Sequence, residues 1–228
     1  MDINHKTNHF WVESKKKLIE AIFEKEKIRN ASILEIGCAD CDNYGILKKF
    51  GKITFVDSNP EFKKFLPREC EGKVASAYKL PFKDNKFDVV LIFGLLEHLE
   101  NDELALKEAR RVLKKGGKVV FSVPAFQFLF SSHDKAIGHY RRYSKKELDS
   151  KVRKHFRLKY DYFWNFAIFI PVCIFRLFRG KNGSKTDYMK MPFFMEKTIL
   201  AFSNFETSLL KRGVGMPLGV ELIGVAEK

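Results

Sequence analysis

The chain has 228 residues, enough for one large domain with its own core and short for two. Hydrophobic residues make up 45% and charged residues 31%, without low-complexity tracts or internal repeats, which excludes the disordered, collagenous and solenoid classes. Lys and Arg total 42 against 28 Asp and Glu, a formal charge of +14; such a surface attracts nucleic acid, anionic lipid head groups or phosphorylated substrates, and composition fits a merely solvated lysine-rich surface equally well.

Residues 11–29 place Leu18, Ile19, Ile22 and Phe23 at helical spacing among lysines and glutamates, an amphipathic helix. "ASILEIG" then predicts a short buried strand ended by glycine, "YGILKKF" one or two helical turns, and "KITFVD" a second strand. "NPEFKKFL" is expected to be helical and "GKVAS" a short strand, while "KFDVVLIFG" is the continuous apolar run of a strand covered on both sides. In "NDELALKEARRVLKKGG", Asn101 or Asp102 caps a helix that buries Leu104, Leu106, Ala109 and Leu113 and stops at Gly116-Gly117. "KVVFSVP" and "FRLKYDYFW" predict two more strands and "GVELIGVAEK" the last. Between the final two strands, roughly residues 165–215 hold two apolar helices joined by an exposed "GKNGSKTD" loop. The alternation predicts one α/β domain over 1–228, a mostly parallel sheet with helices on both faces and a helical insertion or lid before the last strand.

Cys38 and Cys41 form a Cys-x-x-Cys, yet Cys70 and Cys173 stand alone, so the second close pair a zinc ribbon needs is missing and no structural metal is expected. With no disulfide framework and no signal-peptide pattern, a reducing cytoplasm is the expected setting. The better reading of this stretch is a ligand turn: Gly37 follows the first strand, and Asp57 closes the second, twenty positions on, where a carboxylate grips a ribose diol. Ala39 and Cys41 stand where a nicotinamide-binding turn would carry glycines, and Glu35 and Asp42 would repel a pyrophosphate. The same acids attract a sulfonium with an ammonium group, which favours S-adenosylmethionine.

In these motifs the chain resembles the class I S-adenosylmethionine-dependent methyltransferases, specifically the methyltransferase type 11 group, over nearly its whole length. The resemblance implies a Rossmann-like seven-stranded sheet. It implies that "ILEIGCADC" (Glu35, Gly37, Cys38, Ala39) holds the cofactor, that "VDSNP" (Asp57, Ser58) holds its ribose hydroxyls, that Ser76 and Ala77 flank the adenine, and that the stretch from Phe93 and Leu95 to His98 lines the pocket. The family turn usually reads G-x-G-x-G; Ala39 and Cys41 are small enough for modest strain provided their φ stays negative.

Methyl transfer is an in-line displacement that needs the acceptor aligned and, for a hydroxyl or amine, a proton removed, for which a near-neutral histidine is suited. His98, His133 and His139 are the candidates. "SSHDKAIGHYRRYSKKEL" gathers His133, Asp134, His139, Tyr140, Arg141 and Arg142 after the fifth strand, with Ser144 and Glu147 as a capping box. A similar H-D…G-H-x-R-R-Y segment, with an N-terminal H-x-W like His9-Phe10-Trp11, occurs in type 11 enzymes of glycan and lipid biosynthesis. That implies acceptor or cofactor contacts by His133, His139, Arg141 and Arg142, with Tyr140 beside the arginines as a further substrate contact; a helix-entry salt-bridge network is the equally weighted alternative. A metal held by His133, Asp134 and His139 lacks a further ligand and is opposed by the arginines.

The uncharged run Phe166–Phe175, broken by Pro171, is too short to span a bilayer. With its aromatics and arginines it fits an interfacial helix on an anionic membrane or a lid over a lipid-like acceptor, while a helix packed on the sheet edge or in a dimer contact is the commoner role of such a segment. The expected function is methyl transfer to a small-molecule or lipid- or glycan-linked acceptor. No RNA-binding signature is present, so nucleic acid is not the expected acceptor; the alternatives are a basic nucleic-acid-binding shell and a redox protein using Cys38 and Cys41.

Overall fold

The computed structural model describes residues 9–178 and 193–228; the "GKNGSKTD" loop lies outside them. The amphipathic helix α1 (His9–Lys25) is followed by β1 (Ala31–Ile36), a single turn α2 (Tyr44–Leu47) and β2 (Gly51–Asp57). A 3-10 helix over Pro60–Lys64, capped by Asn59 accepting from Glu61 N at 3.0 Å, stands where a helix was expected, and leads to β3 (Glu71–Val74). Then come β4 (Phe87–Phe93), α3 (Asp102–Val112), β5 (Leu113–Pro124), the short α4 (Ser132–Ala136), α5 (Lys145–Arg153), β6 (Arg157–Trp164), α6 (Phe169–Phe178), α7 (Phe193–Lys211) and β7 (Glu221–Glu227).

The seven strands form one sheet in the order β3-β2-β1-β4-β5-β7-β6, parallel except for β7, which runs antiparallel to both neighbours. Alternation along each strand feeds two cores. Leu34, Ile36, Val90, Ile92, Val119 and Phe121 face Ala105, Leu106 and Ala109 of α3 and Leu148 and Val152 of α5. Ile33, Phe55, Val89, Leu91 and Val120 face Leu18, Ile19, Ile22 and Phe23 of α1, with Leu210 of α7. Both faces are therefore apolar and covered, as the near-continuous hydrophobic strands required.

One predicted element is cut short. Helix α3 ends at Val112, before Gly116-Gly117, because Leu113 is already paired with Phe87. The register then shifts so that Val89 meets Lys118, and the intervening residues bulge out around Gly116 at φ +73°. Leu104, expected to be buried, is 44% exposed, and Ala105 takes its place against the sheet. The main buried polar link on this face is Tyr143, fully buried, whose hydroxyl donates to Asp102 Oδ2 at 2.7 Å; Lys151 donates to the same oxygen at 2.7 Å. Tyr143→Phe keeps the packing and removes one buried bond to a charged group, so stability falls by about 1–2 kcal/mol; the check is a lower urea midpoint with an unchanged slope.

Candidate active site

The carboxyl ends of β1, β2 and β4 meet at one edge, tied together by the backbone. Gly37 N donates to Val56 O at 2.8 Å, and Asp57 bridges two turns by accepting from Ala39 N at 3.0 Å and Asn59 N at 2.9 Å. Ala75 N in turn donates to Asp57 O at 3.0 Å, which brings Ser76 and Ala77 to the same edge. Gly37 lies at φ +76°, and a Cβ there would stand 2.8 Å from Leu95 Cδ1, so the position is closed to any side chain. Ala39 and Cys41 also adopt left-handed backbone, at φ +44° and +56°. The expectation of negative φ is overturned: the turn keeps the glycine conformation without the glycines, at a cost of about 1 kcal/mol per residue.

Cys38 and Cys41 are free and buried, and a hydrogen bond in which the Cys38 thiol donates to Cys41, together with burial, pushes the Cys38 thiol far above its ordinary range, which keeps it protonated.

Glu35 ends β1 buried beneath this turn. Asn43 Nδ2 donates to its Oε1 at 2.6 Å, while Oε2 is buried without a hydrogen-bond partner. Burial pushes the carboxyl up to about 8, opposed by the Asn43 bond. An acid held this way is short of a cationic partner.

Beyond β4 lies a second polar group. Glu97 is buried with Oε2 unpartnered, and burial raises it to about 8. The His98 and His139 rings meet edge to face with centroids 4.5 Å apart. Burial, with the neighbouring His139, lowers His98 to about 4, so it is neutral at physiological pH and a weaker base than the near-neutral histidine expected. His139 Nδ1 lies 3.2 Å from Asp134 Oδ1. Burial alone would raise Asp134, but His139, Arg142 and Arg176 hold it well below the usual carboxylate range. Asp134 also accepts from Ser131 N at 2.9 Å and Ser131 Oγ at 3.1 Å, so a two-sided cap lies on α4, whereas Ser144 accepts from Glu147 N at 3.2 Å on α5.

The predicted residues thus fall into two groups. Glu35, Gly37, Cys38, Ala39, Asp57, Ser58, Ser76, Phe93 and Leu95 gather at the strand ends, although Ala77 turns its methyl into the core. His98 and His139 come together, and His133 sits in the first turn of α4. The arginines are engaged internally: Arg142 is buried, donating to Asp134 Oδ1 at 2.8 Å and Ala125 O at 3.3 Å, and Arg141 donates to Glu100 O at 2.7 Å. Both arginines therefore belong to an internal hydrogen-bond and salt-bridge network, and of that trio only Tyr140 is exposed. Sequence reasoning missed Glu97, Asn43, and the pair in which Lys15 Nζ of α1 approaches Glu221 Oε1 of β7 at 3.8 Å. Glu97 carried a signal, since it stands beside His98 at a strand end; Lys15 and Glu221 carried none, because only the fold joins them.

A seven-stranded sheet in this order, with acids near the ends of β1 and β2 around a glycine turn, is a Rossmann-like fold of the kind that solved S-adenosylmethionine-dependent methyltransferases share. The methyltransferase domain family matches residues 34–121. An uncharacterised protein of Methanocaldococcus jannaschii is 34% identical over 137 residues, 60% of this chain and 60% of its own. The ubiquinone/menaquinone biosynthesis C-methyltransferase UbiE of Haemophilus ducreyi is 35% identical over 100 residues, 42% of this chain and 31% of its own. Among solved structures, an S-adenosylmethionine-dependent methyltransferase of Archaeoglobus fulgidus superposes with TM-score 0.59 at 19% identity, covering 93% of this chain and 94% of that one. The chain spans 49% and 60% of the lengths of the first two curated relatives it matches. The matched stretch, residues 34–121, runs from β1 into β5, and the cofactor that this match implies is S-adenosylmethionine. The residues suit it: the orphaned Glu35 oxygen matches a cationic methionine end, and Asp57 at the end of β2 matches a diol.

The raised carboxyls set a pH dependence. Glu35 titrates near 4.3 when unfolded and near 8 when folded, so between these values the folded chain holds a proton that the unfolded chain has released. Cofactor-free protein is therefore most stable below about pH 4.5 with respect to this group and loses stability up to pH 8, by at most about 1.4 kcal/mol per pH unit. Glu97 acts with the same sign. Urea titrations from pH 5 to 8 should show the fall, and Glu35→Gln should flatten it by its own share.

Proposed function

We propose that the chain catalyses methyl transfer from S-adenosylmethionine to a small-molecule or lipid- or glycan-linked acceptor. The observation that carries this reading is the buried Glu35 with its unpartnered Oε2 under a strained turn whose second support is Asp57. Bound S-adenosylmethionine supplies a methyl group on a sulfonium, and transfer leaves the thioether and, from an O–H or N–H acceptor, one proton. Glu35 and Asp57 orient the cofactor. His98 and His139, the latter held by Asp134, stand at the acceptor end of the site, and the proton released from the acceptor passes to solvent.

Aromatic rings next to this edge support an acceptor with an apolar part. Phe126, at φ +62°, stacks on Phe163 at 5.1 Å and meets Phe128 at 5.3 Å and Phe169 at 5.4 Å. Ile170 and Ile174 of α6 and Phe202 and Phe205 of α7 are more than half exposed. With a charge of +14, these exposed apolar side chains support peripheral contact with an anionic membrane. Among the described residues no helix is long and apolar enough to cross one.

Incubation with methyl-labelled cofactor and fractionated extract should place label in the lipid, glycan or small-molecule fraction, with loss of at least tenfold in Asp57→Ala. Label in nucleic acid, or none at all, counts against the reading. In sedimentation with phosphatidylserine-containing vesicles, Ile170→Ser with Phe205→Ser should reduce the bound fraction several-fold; no binding by the parent chain removes the membrane contact.

A further inference from the structure

Three side chains at the acceptor end of the site have a geometry that neither the cofactor nor the helix caps explain. Glu97, His98 and His139 each offer one ligand atom, and the three atoms lie within 4.8 Å of one another. They come from different parts of the chain: Glu97 and His98 from the 3-10 turn after β4, His139 from the segment after α4, pinned there by Tyr140 N donating to Glu97 O at 2.8 Å. Nothing in the cluster satisfies it internally. Glu97 Oε2 is buried without a partner, and His139 Nε2 stands 4.0 Å from Glu97 Oε1, beyond hydrogen-bonding distance.

The nitrogens not directed at the cluster are already committed. His139 Nδ1 faces Asp134 Oδ1 at 3.2 Å, which places the ring proton on Nδ1 and leaves the Nε2 lone pair directed inward. His98 is hydrogen-bonded to the Gly138 backbone, and Nδ1 is the ring nitrogen on that side, 3.8 Å from where a Gly138 Cβ would be. A carboxylate on one imidazole and a backbone group on the other is the outer shell that orients histidine ligands toward a metal. Asp134 is fixed in turn by Arg142 Nη2 at 2.6 Å and Arg176 Nη1 at 2.7 Å. These arginines lie behind His139 and are drawn to Asp134. On the other side Lys15 is paired with Glu221, which Ser122 Oγ holds at 2.8 Å. Glu97 is the anion in this group whose free oxygen no cation occupies.

We propose that Glu97, His98 and His139 bind a divalent first-row transition ion at the acceptor end of the site. Two imidazole nitrogens and one carboxylate suit zinc, manganese, iron or cobalt, and three protein ligands leave positions open for an oxygen of the acceptor. Around a tetrahedral ion with bonds of about 2.1 Å the donors stand about 3.4 Å apart, so the side chains draw in by about an ångström. The location is consistent with that role: Leu95, the wall of the Gly37 turn, is two residues from Glu97. This revises the expectation from sequence of no metal. The trio weighed there included Asp134, which the structure commits to the arginines, and omitted Glu97 and His98. Metal binding stands apart from the methyl-transfer reading, but the ion's contact with the acceptor rests on it.

The test is equilibrium dialysis and calorimetry of the chelator-stripped full chain with Zn²⁺, with Co²⁺ as the spectroscopic probe. One ion per chain is expected, with visible d–d bands for Co²⁺, and at least tenfold weaker binding in each of His98→Gln, His139→Gln and Glu97→Gln. A Cys38→Ser, Cys41→Ser double variant should bind the ion as the parent does. S-adenosylhomocysteine binding, measured on every variant, reports that the fold is intact and separates this proposal from the cofactor reading. No stoichiometric ion in protein that binds S-adenosylhomocysteine, or Zn²⁺ affinity unchanged in the histidine variants and lost in the cysteine variant, overturns it.

Discussion

A parallel sheet whose strands are apolar on both sides must be covered on both sides, and that constraint organises the protein. With α3 and α5 on one face and α1 and α7 on the other, polar chemistry is confined to the ends of the strands. At the carboxyl end of β1, β2 and β4 the backbone leaves the ladder with N–H groups still to satisfy, and Asp57 satisfies two of them from adjoining turns. Every candidate functional residue is placed relative to that junction.

The junction is held under strain and short of positive charge. Ala39, Cys41 and Phe126 all occupy left-handed backbone without being glycine, and each lies at the same sheet edge. Local strain persists only where the surroundings over-determine it, and here the ladder on one side and buried side chains on the other do so. Two carboxyls, Glu35 and Glu97, are buried there with one oxygen each unpartnered. Buried acids without cations are costly alone, so their position at the two ends of one site is a property of what the site holds. The first matches the methionine end of the cofactor; the second, with two oriented histidines, matches a metal ion.

The segment from Ser131 to Tyr143 shows what the fold adds to a motif. Its histidines, acid and arginines look like a hand reaching for an anionic acceptor. Folded, the arginines are spent on Asp134, Ala125 and Glu100, and their work is to fix Asp134, which fixes His139. That chain of contacts ends at the His139 imidazole, beside Glu97, which belongs to another segment.

Periodicity and composition by themselves determined the strand and helix order, the doubly covered sheet, the acidic glycine turn and Asp57, because these are local patterns that burial and backbone geometry impose on neighbouring residues. What was not legible follows from contacts across the chain. Helix α3 stops early because Leu113 pairs with Phe87, a partner twenty-six residues away that no helical propensity registers. The backbone angles of Ala39 and Cys41 are decided by the ladder and by Asp57, against their own preference. The roles of Arg141 and Arg142, and the meeting of Glu97, His98 and His139, depend on which donors and acceptors the fold brings within 3 to 5 Å. Hydrogen bonds, ion pairs and metal ligation act over such distances only, so side-chain identity sets what a residue can do and tertiary structure decides what it does.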